Sequence, residues 1–286
     1  MLRSTAMSAF ADNFDPVRTL LARLETLATS GAAGDYSCIT ARREHGARSV
    51  DIDRPQLAIL VKGRKQVRGA GLSLDLAAGE ILLMARRCAL DVVNVPDPVT
   101  GLYLTLMIPL CAEVVDATRL IWGRESPTAG DPIASIALRD LLAELDDWVR
   151  AVESGQMTDA RLAMTAAMLR LCSLGHTGLL VPPSQTYADR IRERVRADPT
   201  RNWQSQDIEA AFGLSGATLR RRLADENHKL RDVIAHARLA CALELLYTTR
   251  WPIKTVAARV GYQSVSSFVE RFVERYGLDP GSIGNA

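Results

Sequence analysis

The chain has 286 residues, 48% of them apolar, so it can bury a sizeable core and is not a disordered chain. Its net charge of +2 does not by itself point to nucleic acid, and its five scattered cysteines, with no C-x-x-C pair, exclude a disulfide framework. From residue 184 onward 16 Lys+Arg stand against 12 Asp+Glu, which leaves 19 against 21 before it, so the basic surplus sits in the C-terminal part. The opening stretch MLRSTAMSAFADNF lacks the apolar run of a signal peptide, and no stretch of ~18 apolar residues could span a bilayer. The expectation is a cytoplasmic protein with no membrane partner and with reduced, mostly buried thiols.

In chain order, a helix is expected over residues 16–27, where Leu20, Leu21, Leu24 and Leu27 share one face. Short strand-like runs follow, punctuated by Gly, Pro and Asp: DYSCITARR, QLAILVKGRKQVRG, LSLDL, EILLMA, CALDVVNV and GLYLTLMI. Such spacing suggests a β-sandwich or a small barrel. From residue 109 to about 175 the pattern turns helical, in SIALRDLLAELDDWVRAV and DARLAMTAAMLRLCSL. Pro182 and Pro183 mark the boundary, with 1–181 as one domain, 182–189 as linker and 190–286 as a second, all-helical domain.

That second domain contains an internal repeat. Ile208, Ala210 and Gly213 match Val256, Ala258 and Gly261 at an offset of 48, and Leu219 and Leu223 match Phe268 and Phe272 at an offset of 49. Each unit reads as a short helix, a glycine turn and a second helix capped by serine, Ser215 in the first and Ser264 in the second. This is a helix-turn-helix present twice, joined by a helix over about 230–249 whose length of roughly 30 Å is close to the ~34 Å between successive major grooves on one DNA face.

The run Arg220–Arg221–Arg222 gains meaning in that frame. Residues advance by roughly 100° along a helix, so with Leu219 and Leu223 buried, Arg221 points away from the core. Ala217 and Ala224 flank Arg221 on one side, Arg220 lies at the edge of that face, and Thr218 is a further candidate contact, while Arg222 sits beside the buried stripe and suits a phosphate or an acidic neighbour. Arginine matches guanine O6 and N7 in the major groove. A merely solvated arginine face is the alternative. In the second unit Ser266, Glu270 and Val273 point outward with Ser267 beside them. Glu270 repels phosphate but can accept from cytosine N4, and Arg271 and Arg275 near the edge are candidates for backbone phosphates.

The order alanine, glycine-aromatic, serine, serine-x-Phe, x-x-Phe, tyrosine-glycine, proline in IKTVAARVGYQSVSSFVERFVERYGLDPGSI, together with RLACALELL, resembles the AraC family of bacterial transcription regulators over residues 187–283. The resemblance implies binding to double-stranded DNA, with base contacts from Ala217, Arg220 and Arg221, then Val265, Ser266 and Glu270. Glu270 and Gly284 stand where many members carry arginine. More weakly, PQLAILVKGRKQV followed by DLAAGEILLMA resembles the cupin-like effector domain common in that family. The fold implied is an N-terminal cupin-like β-barrel with flanking helices (α+β), followed by an all-α double helix-turn-helix.

What the first domain binds is less determined. The chain has only His45, His176, His228 and His236, with no H-x-H pair, so no metal, no cofactor and no enzymatic activity are expected. Residues 36–95 hold ten basic side chains against six acidic ones. Either the cluster KGRKQVR is a solvated hairpin turn, or Lys62, Arg64, Lys65, Arg68 and the Arg42–Arg43 pair hold a small anionic effector such as a carboxylate metabolite or a nucleotide. The helices over 133–174, through Leu141, Leu142, Leu145 and Trp148, either form a homodimer surface or pack on the barrel. Two functions remain open: a ligand-responsive DNA-binding regulator, with RNA polymerase as a further partner, or a DNA-binding regulator whose first domain only dimerises or docks another protein.

Overall fold

The computed structural model describes residues 15–29, 36–123, 130–182 and 186–283. The opening stretch, Pro183 of the linker and Gly284 lie outside the described residues. The chain divides into two compact units: Met1–Arg43, Ile52–Ala89 and Asn94–Val181 in the first; Glu44–Asp51, Leu90–Val93 and Pro182–Ala286 in the second.

The first unit opens with α1 (Pro16–Thr29), whose Leu20, Leu24 and Leu27 are buried at helical spacing. Strands β1 (Ser37–Ala41), β3 (Gln56–Lys62), β6 (Glu80–Met84), β8 (Tyr103–Pro109) and β9 (Ile133–Ala137) form a five-stranded sheet in the order β1-β8-β3-β6-β9. All of its pairings are antiparallel. Strands β2 (His45–Ile52), β7 (Cys88–Val95), β4 (Arg64–Gly69) and β5 (Leu72–Ala77) form a second sheet in the order β2-β7-β4-β5. Helices α2 (Ala112–Trp122), α3 (Leu142–Glu153) and α4 (Met157–Ser173) complete the unit.

The run LAILV in β3 is apolar at every position because both of its faces are covered. Leu57, Ile59 and Val61 join the core built with α1, α3 and α4, while Ala58 and Leu60, on the opposite face, are equally buried. Between the sheets, Lys65 of β4 reaches Tyr103 of β8.

The closed cupin-like barrel is not what these strands build. They form two separate sheets with ends at β1 and β9, and at β2 and β5, instead of a ring. Alternation of apolar residues is the same for sandwiches and barrels; closure depends on whether the edge strands pair, and here β9 caps β6 instead. Two further elements differ from the sequence expectation. Residues 133–137, expected to be helical, are β9, because Ile133 and Ile136 bury at 1% and 5% exposure when the segment pairs with β6. The polar segment HGARSVDI, outside the strand-like runs, is β2. Leu141, Leu145 and Trp148, considered for a dimer surface, are side chains of the core.

The second unit is helical apart from its two strand segments. It contains α5 (Tyr187–Ala197), α6 (Ser205–Phe212), α7 (Gly216–Asp225), α8 (Leu230–Thr248), α9 (Ile253–Arg259) and α10 (Val265–Tyr276). Thr186 caps α5 with a reciprocal box to Asp189, and the Glu226 carboxylate accepts from the Tyr187 and Ala188 amides at 2.8 and 2.9 Å. All five cysteines are free thiols, and burial pushes Cys38, Cys88 and Cys172 up to about 11. Among the described residues no helix is long and apolar enough to cross a membrane.

Candidate nucleic-acid interface

In the first helical pair, α6 ends at Gly213, whose φ of 62° makes the left-handed turn into α7. Ser215 caps α7 by accepting from the Thr218 amide at 3.3 Å, and its hydroxyl also lies 3.0 Å from that of Thr218. Leu219 and Leu223 fix the orientation of α7 by packing on Ile208, Ile191, Val195 and Val233. The opposite face therefore presents Ala217, Arg220 and Arg221 to solvent. Among the described residues neither Arg220 nor Arg221 makes an ion pair or a hydrogen bond. Arg222 is also exposed, with its guanidinium 5.9 Å from the centre of the Tyr187 ring.

The second pair repeats the plan. Gly261, with φ of 81°, turns the chain after α9, and Ser264 caps α10 by accepting from the Ser267 amide at 3.4 Å. Phe268, Phe272 and Tyr276 are fully buried and contact one another in series, at 5.6 and 4.8 Å between ring centres. Val265, Ser266, Ser267 and Glu270 stay exposed, the Ser266 hydroxyl 2.8 Å from that of Ser264. Arg271 is half-buried at the flank. Arg275 turns elsewhere: its Nη2 donates to the Asp51 carboxylate at 2.8 Å.

Arg238 of α8 joins the two pairs. It donates to the carbonyls of Pro199 and Arg201 at 3.0 and 2.8 Å, just before α6, and lies against Gly261 of the second turn. Nothing in the sequence pattern singled it out, since its role depends on which turn α8 brings it to.

The basic side chains of the first domain do not all share one face. Arg64 and Arg68 share the exposed face of β4, with Arg64 paired to Asp75 at 2.6 Å. Lys65 faces the opposite way, buried, donating to Asn94 at 2.8 Å and Tyr103 at 3.3 Å. Burial pushes its ammonium down to about 8. Lys62 pairs with Glu25 of α1, and Arg42 and Arg43 are exposed after β1. Among the described residues no group of three or more His, Cys, Asp or Glu could hold a metal ion.

Residues 208–285 match the family described as a helix-turn-helix domain. This part of the chain is a tandem helix-turn-helix domain. Over 94 residues the chain is 30% identical to the HTH-type transcriptional activator CfaD of Escherichia coli, covering 33% of this chain and 36% of that protein. It is 29% identical over 105 residues to the virulence regulon transcriptional activator VirF of Shigella flexneri, covering 37% and 40%. The chain thus spans little more than a third of the length of the curated relatives it matches. Among solved structures, an apo lysine-to-alanine variant of ToxT from Vibrio cholerae has the same fold, with a TM-score of 0.64 at 16% identity over 87% of this chain and 96% of that one. Wild-type ToxT with a bound unsaturated fatty acid gives 0.60 at 17% identity, over 86% and 92%. At that identity the likeness is one of fold.

Proposed function

We propose that this chain is an AraC-type transcription regulator that binds double-stranded DNA through both helix-turn-helix units and whose first domain senses a small anionic effector. The observation that carries the reading is the pair of exposed guanidiniums of Arg220 and Arg221, without an ion pair among the described residues, on the face of α7 opposite its buried leucines. The curated relatives, named as transcriptional activators, support it. Arg220, Arg221 and Ala217 face base edges, while Ser215, Thr218 and Arg222 are placed for the backbone. From α10, Val265, Ser266 and Glu270 face the bases and Ser267 the backbone.

The effector part of the reading is supported by the shared fold of ToxT, solved with an unsaturated fatty acid. Arg64 and Arg68, on one exposed face of β4, with Arg42 and Arg43, are the candidate anion contacts. Replacing Arg64 and Arg68 with alanine then abolishes the ligand response and leaves the fold intact; an unchanged response removes these residues from the site. Effector binding acts by shifting the population of DNA-competent states, through DNA affinity or a contact with RNA polymerase.

The deciding experiment is selection of genomic DNA fragments by the purified protein, with and without Arg221→Ala. A bipartite enriched sequence that loses one position in the variant, by about 1–3 kcal/mol, supports the reading. A uniform loss on all DNA makes Arg221 a phosphate contact, and no enrichment by the wild type, with and without candidate acids, overturns it.

A second reading, in which the first domain carries no ligand and binds a second copy or another protein, is favoured by exposed apolar side chains on its helices: Leu120 at 84% and Ile121 at 62% on α2, and Leu162 at 64% on α4. A saturable thermal shift with small acids favours the first reading. A concentration-dependent dimer without any such shift favours the second.

A further inference from the structure

An open cleft of about 440 Å³ lies in the second unit between the N-terminal half of α8 and the flank of α10. Trp203, Tyr262 and Ile234 line it, together with three arginines, Arg231, Arg238 and Arg271. Among the described residues no acidic side chain lines it. Arg238 is held by the Pro199 and Arg201 carbonyls, which fix its charge at the wall. Arg231 and Arg271 make no ion pair or hydrogen bond among the described residues. Two guanidinium side chains from different helices, without an ion pair among the described residues, line one groove with a third fixed beside them and form a site for an anion.

The position of the groove identifies the anion. Helix α8 spans 19 residues, or about 29 Å, close to the ~34 Å separating successive major grooves. A duplex engaged by α7 and α10 at once must carry its backbone across the interval between them. The cleft is lined from both ends of that interval, by Arg231 in the first turn of α8, which follows α7, and by Arg271 next to Glu270 on α10. Its apolar and aromatic lining suits the deoxyribose on either side of a phosphodiester. Resting on the DNA-binding reading, we propose that this cleft clamps a DNA backbone phosphate between the two groove contacts, with Arg231 and Arg271 as its ligands and Arg238 as a fixed positive wall. The clamp sets register and carries no sequence information.

The test is DNA affinity of the full chain, measured over a series of salt concentrations on the selected sequence and on a scrambled duplex, for wild type, Arg231→Ala, Arg271→Ala and Arg231→Lys. Because neither arginine makes an ion pair or hydrogen bond among the described residues, each alanine variant should stay close to the wild-type melting temperature. Each alanine variant should reduce the magnitude of the slope of log K against log salt by about 1, with the same fold-loss on both duplexes, and Arg231→Lys should restore most of the slope. Wild-type binding with unchanged slopes in both alanine variants overturns the clamp and leaves the helix-turn-helix reading standing. A loss confined to the selected sequence also overturns it, making the residues base readers. Absence of salt-dependent DNA binding in the wild type overturns the clamp and the DNA-binding reading together.

Discussion

Arg238 lies directly against Gly261. A β-carbon on Gly261 would fall 3.0 Å from the Arg238 guanidinium carbon and 2.5 Å from the Pro199 carbonyl oxygen that Arg238 holds. One arginine on the connecting helix therefore ties the segment before the first helix-turn-helix to the turn of the second. Two small bundles joined by a single helix have few contacts with which to fix their spacing. This contact makes a closely packed joint where a bare helix would leave a hinge.

Gly261→Ala should be strongly destabilising. The residue sits at φ of 81°, where any side chain costs about 1–3 kcal/mol, and the added carbon meets a backbone oxygen that cannot rotate away. The unfolding free energy read from urea denaturation should fall by at least that amount. Gly213 is also left-handed, at φ of 62°, but a β-carbon there would meet open space, so alanine should cost only the conformational part. Equal losses at the two glycines would mean that the Arg238 joint contributes nothing.

Glu226→Ala tests a cap supplied across the domain. The carboxylate at the end of α7 accepts from the first two amides of α5, so removing it should cost about 1–2 kcal/mol of stability, and Glu226→Gln should recover part of that. Chemical denaturation of the three proteins measures it, and indistinguishable midpoints would show that Thr186 and Asp189 suffice.

The helical half was legible because its determinants are local. Ser215 and Ser264 as caps, Gly213 and Gly261 as turns, and leucine or phenylalanine at i and i+4 act within one or two turns of chain. The strand half was legible only as strands. Whether the sheets close depends on pairing at their edges, β1, β9, β2 and β5, and one of these, β9, has the sequence IASIA, with no alternation that distinguishes it from the start of a helix. Lys65 could have been separated from Arg64 and Arg68 by the two-residue period of β4 alone, since neighbours on a strand face opposite ways. The roles of Arg231, Arg238 and Arg275 were not legible, because the partners of Arg238 and Arg275 lie 37 to 224 residues away and Arg231 has no side-chain partner among the described residues.

Arg275 and Arg271 should separate cleanly. The strand segment carrying Asp51 occupies Arg275, with side-chain exposures of 20% and 27% for the pair. Arg275→Ala should leave the salt slope of DNA binding unchanged while lowering stability by about 1–2 kcal/mol, less than a fully buried pair because both groups are partly solvated. Asp51→Asn should lower stability similarly. A reduced slope in Arg275→Ala would instead return this residue to the phosphate contacts that its place on α10 first suggested.

Lys65 predicts a pH dependence of stability with a definite sign. Burial holds its folded pKa at about 8, below the ordinary value of 10.5. Below pH 8 both folded and unfolded chains carry the proton, and the folded one bears the desolvation cost of an ammonium whose hydrogen bonds run to the neutral Asn94 and Tyr103. Between about pH 8 and 10.5 the folded state has released the proton and the unfolded state still binds it, so stability should rise with pH across that window. Lys65→Met should flatten the rise and equal or exceed the wild-type stability at pH 7, since a methionine of similar length needs no counter-charge. A rise that persists in the variant would assign the titration to another group, and a large loss of stability at pH 7 would mean that the Asn94 and Tyr103 hydrogen bonds outweigh the desolvation they accompany.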